Sequence, residues 1–329
     1  MAKRKKTTKK KKSSSPLLRY IVWNLTIIAL VLISIIVGYY LGVNNVKIKT
    51  IVKEKVIVKE KKMSKIPKPP VSVNKRLQEV LKKETKNYVS AAHEIDDEAL
   101  ANPPKSKPRK IEVYTSKPKL AIIIDDVQTA SQVRAIKSLH LNVTMSFLPP
   151  RAARPNSAKL ASHEKFYMVH LPMEAMHFSA EEPHTLRIHD SQQKISARIK
   201  TIKKLFPRVR YINNHTGSKF TANEVAMNRL IFALNANHIH FIDSRTTAKT
   251  MAPKVLKNFG LKYVARDVFL DHHMDKPYIL KQIKKAIAVA KAHGSAIVIG
   301  HPYKNTLQAL YESKKFLKAV DLVQINKIY

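Results

Sequence analysis

The sequence predicts an α/β protein built on parallel strands, and three observations support this class. The apolar runs in the C-terminal two thirds of the chain are continuous rather than alternating, as buried parallel strands are. Helix-length segments separate these runs, which is typical of β-α-β crossover units. Seven or eight such units within about 210 residues favour a barrel, complete or incomplete. An open doubly wound sheet is the second interpretation.

Strands are predicted where Val, Ile, Leu and aromatic residues form a short run bounded by polar or turn residues. The predicted strands cover residues 120–124, 143–148, 166–171, 211–214, 240–243, 263–270, 296–300 and 322–325. Helices are predicted between them, where apolar residues recur at helical spacing. The predicted helices cover residues 129–139, 157–162, 191–206, 222–235, 254–259, 278–293 and 306–315.

The N-terminal part of the chain has a different composition. Residues 20–46 carry no charge, and residues 21–41 are predominantly apolar, close to the roughly 20 residues that cross a bilayer core. We therefore predict a transmembrane anchor over residues 17–43. Its alternative, a cleaved signal peptide, lacks a small-residue cleavage site beyond Leu41.

Charge and composition divide the rest of the chain. Residues 1–16 form a basic tail, which predicts a cytoplasmic N-terminus, a single pass through the inner (cytoplasmic) membrane, and a C-terminal domain facing the periplasm or exterior. Residues 44–118 are rich in Lys and Pro and are predicted to be a partly disordered tether. Residues 119–329 are predicted to fold.

The overall charge is strongly basic, with a formal net charge of +38 and no cysteine. A basic surface attracts nucleic acid, phospholipid headgroups or acidic glycans. No nucleic-acid motif accompanies this charge, and the predicted anchor removes the domain from the cytoplasm, so we expect no nucleic-acid partner. The chain has neither a GxGxxG turn nor a GxxxxGK[ST] loop, so no nucleotide cofactor is predicted.

Residues able to bind metals or move protons stand at the ends of five predicted strands. They are Asp125 and Asp126, then His170, then Asn213, Asn214 and His215, then Asp243 with Ser244, and finally His301. In a parallel barrel these strand ends meet at one rim. The sequence therefore predicts an active site there.

The aspartate pair and the histidines favour a metal site. One aspartate alone would cap the helix that starts near Thr129, but two adjacent carboxylates repel each other unless they share a cation or a proton. One Asp oxygen and two His nitrogens form an ordinary ligand set for a catalytic divalent ion. Each histidine taken alone is more often structural. Asp271, His272 and His273 are also expected near the rim.

Seven motifs carry a resemblance to a known family. They are IIIDDV, FLPP, HLPME, NNHTGSKFT, FIDSRTT, RDVFLD and IGHPYKNTLQAL. Together, in this order and over residues 119–329, they resemble the divergent polysaccharide deacetylase family, a branch of the NodB-like carbohydrate esterases. The resemblance implies a distorted (β/α)7 barrel that uses a divalent metal to remove acetyl groups from a glycan.

Residue by residue, the resemblance implies that Asp125 is the general base, that Asp126 and His170 bind the metal, and that His301 is the acid. The second histidine of the family's HxxxH motif is Glu174 here. His215 is the candidate for the missing nitrogen ligand because of its place at a strand end. Glu174, Asp243 and Asn214 are candidates for ligands or for supports of ligands.

The sequence thus favours a membrane-anchored hydrolase that deacetylates an envelope polysaccharide or a peptidoglycan-like glycan. Zinc is the expected metal, with manganese and cobalt as alternatives. The rival hypothesis is a noncatalytic envelope protein whose barrel mouth binds carbohydrate or a protein partner. Fold alone does not decide between them.

Overall fold

The computed structural model describes residues 95–101 and 116–329. The predicted tail, the predicted anchor and most of the predicted tether lie outside these residues. Within them, no helix combines the length and the apolar character that a membrane span requires.

One sheet organises the described chain, and every strand pairing in it is parallel. Its strands are β1 (Lys119–Val127), β2 (Thr144–Phe147), β3 (Met168–Met173), β4 (Tyr211–Thr216), β5 (His240–Ile242), β6 (Val268–Phe269), β7 (Ser295–Gly300) and β8 (Asp321–Val323). The order across the sheet is β5-β4-β3-β2-β1-β7-β6, and β8 also pairs with β1.

Helices connect successive strands. They are α1 (Asp97–Ala101), α2 (Ala130–Lys137), α3 (Ser157–Ser162), α4 (Gln192–Leu205), α5 (Ser218–Thr221), α6 (Glu224–Asn235), α7 (Ala252–Asn258), α8 (Lys276–His293), α9 (Lys304–Glu312) and α10 (Lys314–Leu317). A 3-10 helix, Ile325–Lys327, lies close to the C-terminus. The alternation of strand and helix confirms the predicted α/β class.

The sheet is an incomplete barrel rather than an open sheet. The end strands β5 and β6 share no ladder, but a single parallel bridge joins Asp243, directly after β5, to Ala265, just before β6. The path of seven strands fits the predicted distorted (β/α)7 barrel with one weakly closed side. The carboxyl ends of its strands therefore still surround a common rim.

Four strands, β2, β5, β6 and β8, are shorter than the sequence predicts, and β6 differs most. The predicted strand over residues 263–270 retains only Val268–Phe269. Directly before it, the Asp267 side chain accepts a hydrogen bond from the Ile297 amide at 2.8 Å, so a carboxylate takes the place of a ladder carbonyl. The predicted strand over residues 322–325 becomes Asp321–Val323 followed by the 3-10 helix.

An apolar cluster fills the inside of the barrel. It contains Ile123 of β1, Ile242 of β5, Phe269 of β6 and Ile299 of β7, all buried. Helix α1 belongs to the same cluster through Ala99, and so does Ile95, two residues before the helix. Part of the range predicted as a tether therefore packs inside the folded domain, next to the side of the barrel that no ladder closes.

Candidate metal centre

Asp125 and Asp126 lie at a bulge in β1. Ile124 pairs with Met145 and Val127 with Phe147, so two residues of β1 oppose a single residue, Ser146, of β2. Asp126 has a left-handed backbone with φ 55°. Neighbouring residues of a regular strand face opposite sides, and a bulge with a left-handed residue re-aims the chain. Both carboxylates therefore reach the same histidine, His170.

Asp126, His170 and His215 meet at the rim, each offering one ligand atom, and these three atoms lie within 4.8 Å of one another. Asp126 Oδ1 is 2.9 Å from His215 Nδ1 and 3.6 Å from His170 Nε2. All three side chains are buried. The three residues, from β1, β3 and β4, are the predicted ligand set.

The geometry fits a small divalent cation. Zn–N and Zn–O bonds of about 2.1 Å at tetrahedral angles place neighbouring ligand atoms about 3.4 Å apart, and the two measured separations bracket that value. His215 Nδ1 is buried and lies 2.9 Å from the Asp126 carboxylate oxygen. A nitrogen lone pair and a carboxylate this close could share a cation in place of a proton.

Asp125 lies behind this group instead of in it. Its Oδ2 is 3.5 Å from His170 Nδ1, on the side of the ring away from Asp126. The Asn213 amide donates to both Asp125 oxygens at 3.0 and 2.8 Å, and Ser146 donates to Asn213 Oδ1 at 2.7 Å. Carboxylates in this position behind a ligand histidine orient its ring and raise its basicity.

His301 is held by Asp271. The Asp271 carboxylate accepts from the His301 amide at 2.7 Å, from the Thr306 hydroxyl at 2.7 Å, and contacts His301 Nδ1 at 3.0 Å. A proton on Nδ1 satisfies the last contact and leaves Nε2 facing the rim, 3.9 Å from Asp126 Oδ2. The ring also stacks on Tyr303, with centroids 5.3 Å apart.

Burial and neighbouring charges separate the proton affinities of these groups. Burial raises the pKa of Asp125 to about 8 and lowers the pKa of His170 to about 3. Burial would also raise the pKa of Asp126, but the neighbouring histidines, His215 foremost, hold it well below its ordinary value. For His301, burial is outweighed by Asp271, which raises its pKa to about 9. His301 is therefore a proton donor at neutral pH.

Three predicted candidates do not reach this group. Glu174 accepts from Lys219 Nζ at 2.8 Å and from the Ile188 amide at 2.9 Å. Asp243 accepts from Thr250, Tyr263 and the Arg245 amide. Asn214 donates to the Thr216 carbonyl and accepts from the Ser244 amide. These contacts join loops of the rim to one another.

Neither Asp125 nor Asp126 caps the helix that follows β1, which was the alternative role for one of them. Thr129 is the N-cap of α2, and together with Gln132 it forms a capping box. Neither aspartate is needed to cap α2, so both remain available to the rim.

Two residues of the site have no role predicted from the sequence, although both stand at the ends of predicted strands. Asn213 holds Asp125, and Asp271 holds His301. The two-residue period of a strand could have identified Asn213, because it shares a face with His215 while Asn214 points the other way. Asp271 follows a predicted strand directly, which is the signal that identified the other site residues.

Gly217 supports the turn that follows His215. Its φ is +91°, and a Cβ added there would lie 2.9 Å from the Met173 Cβ. We expect Gly217→Ala to lower the free energy of unfolding by about 2–3 kcal/mol, because it adds a clash with the Met173 Cβ to left-handed strain. Gly260→Ala is the matched control, since Gly260 has φ +67° with nothing within 4 Å of the added Cβ. Equal losses for the two variants in urea unfolding would contradict the clash.

The folded part of the chain is similar to known proteins. Residues 122–329 match the family described as divergent polysaccharide deacetylase. An uncharacterized protein of Haemophilus influenzae is 34% identical over 224 residues, covering 66% of this chain and 80% of that protein. The uncharacterized protein YibQ of Escherichia coli K12 is 34% identical over 199 residues, covering 59% of this chain and 61% of YibQ.

The fold also occurs in a solved structure. An uncharacterized protein of Agrobacterium tumefaciens C58 superimposes with a TM-score of 0.58 at 15% identity, covering 74% of this chain and 97% of that one. At this identity the likeness shows a shared fold.

Proposed function

The chain belongs to the divergent polysaccharide deacetylase family, and we propose that it is a metal-dependent hydrolase that removes acetyl groups from a cell-envelope glycan. The observation that carries the proposal is the meeting of Asp126, His170 and His215 at the barrel rim. The His301–Asp271 pair beside them adds a proton donor.

Asp126, His170 and His215 would hold the cation, with zinc preferred and manganese or cobalt as alternatives. A divalent ion supplies Lewis-acid chemistry, since it polarises a carbonyl and makes a water molecule more acidic. Glu174 is not required as a ligand, because His215 provides the second nitrogen. The departure from the HxxxH motif therefore leaves a full set of three protein ligands, with room for a further ligand.

Asp125 is proposed as the general base. Asn213 and His170 fix its carboxylate next to the ligands, where it lines the same small cavity as His170 and His301. Its raised pKa in the cation-free protein favours the protonated form, and a cation nearby favours ionisation. Binding of the cation would thus ready Asp125 to accept a proton.

His301 is proposed as the general acid that protonates the departing amine or alkoxide. Asp271 keeps the imidazole charged at neutral pH and directs Nε2 toward Asp126. A charged, buried donor beside an ionised carboxylate suits a leaving group that develops negative charge.

The proposed setting is the inner membrane, with residues 17–43 as a single anchor and the barrel facing the periplasm or exterior. The apolar segment and the basic tail of the sequence support this placement. Anchoring would keep the enzyme close to the glycans of the envelope.

The direct test measures acetate released from N-acetylated and O-acetylated envelope glycans by the full chain after loading with zinc, manganese or cobalt. Expected are one bound cation per chain and acetate release that stops when a chelator removes it. Stoichiometric metal without acetate release from any glycan, or no metal uptake at all, would contradict hydrolysis. Glycan binding without release would then favour the noncatalytic alternative.

A further inference from the structure

A segment from outside the matched family region forms part of the candidate site. Residues 95–101 precede the family match, which begins at residue 122. The Asp96 amide donates to the Thr246 carbonyl, in the loop after β5, at 3.1 Å. Ile95 is 8% exposed and Ala99 1%, and both lie in the apolar cluster inside the barrel. The segment therefore enters the barrel where β5 and β6 share no ladder.

Ile95 also borders the space beside the candidate ligands. That cavity is lined by Asp125, His170 and His301 together with Ile95 and Thr246, and its volume is about 20 Å3. Such a volume holds a single water molecule. An acetyl group, with its methyl and carbonyl, is larger than this space, and Ile95 is part of the wall that limits it.

Among the described residues, tertiary contacts hold the segment in place. Helix α1 has five residues, far fewer than a helix needs to be stable by itself. Its position depends on burial of Ile95 and Ala99, on packing of the partly buried Leu100, and on the bond to Thr246. Displacing these apolar side chains costs much less than unfolding the barrel, so local opening is accessible.

We propose that residues 95–101 are an inhibitory plug, defined as a segment of this chain that closes the candidate site and must move before a glycan acetyl group enters. The proposal concerns regulation of the site and rests on the proposed function for the identity of the ligand. Because the plug continues into the range predicted as a tether, binding or tension on that range would open the site.

The absence of cysteine from the chain gives a direct test of opening that is independent of metal and of activity. In the full chain purified with detergent, Thr246→Cys introduces one thiol beside Ile95. Adding Ala99→Glu forces a charged side chain into the apolar interior and should expel the plug. We expect the rate of maleimide labelling at position 246 to rise by about tenfold or more, because the burial that favours the closed form is lost.

Two control variants distinguish movement of the plug from general unfolding of the barrel. Ser138→Cys places a thiol at a similarly buried position beyond the end of α2, and its labelling should not change with Ala99→Glu. Glu98→Ala alters the exposed side of the same helix and should leave labelling at position 246 unchanged. Equal labelling of position 246 with and without Ala99→Glu would overturn the proposal. So would an equal acceleration at positions 138 and 246, which indicates general unfolding.

A parallel assay separates this proposal from the proposed function. If Ala99→Glu speeds labelling at position 246 and also raises acetate release, both proposals are supported. If it speeds labelling while neither protein releases acetate, the plug stands and the hydrolase assignment fails. If acetate release occurs at equal rates with unchanged labelling, the hydrolase assignment stands and the plug is wrong.

Discussion

Asp126→Asn is expected to remove bound divalent metal and turnover together. Asp126 is the residue that both His170 and His215 face, and an amide is a neutral, weak ligand. Losing a group that only supports a ligand costs roughly 10- to 100-fold, so losing a ligand itself should lower metal affinity and kcat by more than about 100-fold. Asn also tolerates the left-handed backbone at this position. Elemental analysis and acetate release measure the two effects.

Asp243→Asn is the matched control, because Asp243 is equally buried at a strand end. Its carboxylate accepts from Thr250, Tyr263 and Arg245, so this variant should lose about 1–3 kcal/mol of unfolding free energy and keep its metal. Full metal content and normal turnover in Asp126→Asn would remove the proposed mechanism. Loss of metal in Asp243→Asn alone would move the site to β5.

Asp271→Asn is expected to lower kcat by about 100-fold while metal content and KM stay close to their original values. The carboxylate accepts from the amide of His301 and contacts its Nδ1, and it raises the pKa of the ring. An amide cannot supply the same charge, so less of the imidazole would be protonated and its orientation would loosen. Loss of a general acid typically costs roughly 100- to 10,000-fold.

Thr306→Val provides the comparison for Asp271. It removes one donor to the same carboxylate but leaves the charge and the contact with His301 in place. We expect kcat to change only by about threefold, because the carboxylate keeps its charge and both contacts with His301 and loses only one of its other hydrogen bonds. Either a loss of metal in Asp271→Asn or equal losses of kcat in the two variants would contradict this prediction. Asp271 would then stabilise the fold in general and would not act specifically on His301.

Much of the fold could be predicted because buried parallel strands have a local signature. Runs such as that before Asp125 are continuous and apolar, and the helices between them have their own period. The strand predicted over residues 263–270 was far too long for a local reason. There the Asp267 side chain replaces a ladder partner, which composition cannot reveal.

Part of the candidate site could likewise be predicted from the sequence, and part could not. The family resemblance implied Asp126 and His170 as ligands, and the strand-end position of His215 suggested the third ligand. The structure brings these three residues together. Glu174 was a reasonable candidate by its spacing from His170. The chain leaves the regular strand after Met173, however, and the Glu174 carboxylate turns toward Lys219.

The sequence by itself determined the α/β class, the family and the residues whose chemistry suits a metal-dependent reaction, because these depend on local periodicity and on residue type. Only the tertiary structure decided how two adjacent aspartates both turn toward the rim, that Asn213 and Asp271 hold Asp125 and His301, and that Ile95 borders the space beside them. Those outcomes depend on a bulge, on side-chain direction and on contacts between residues far apart in the chain. These contacts form only when the whole barrel has folded.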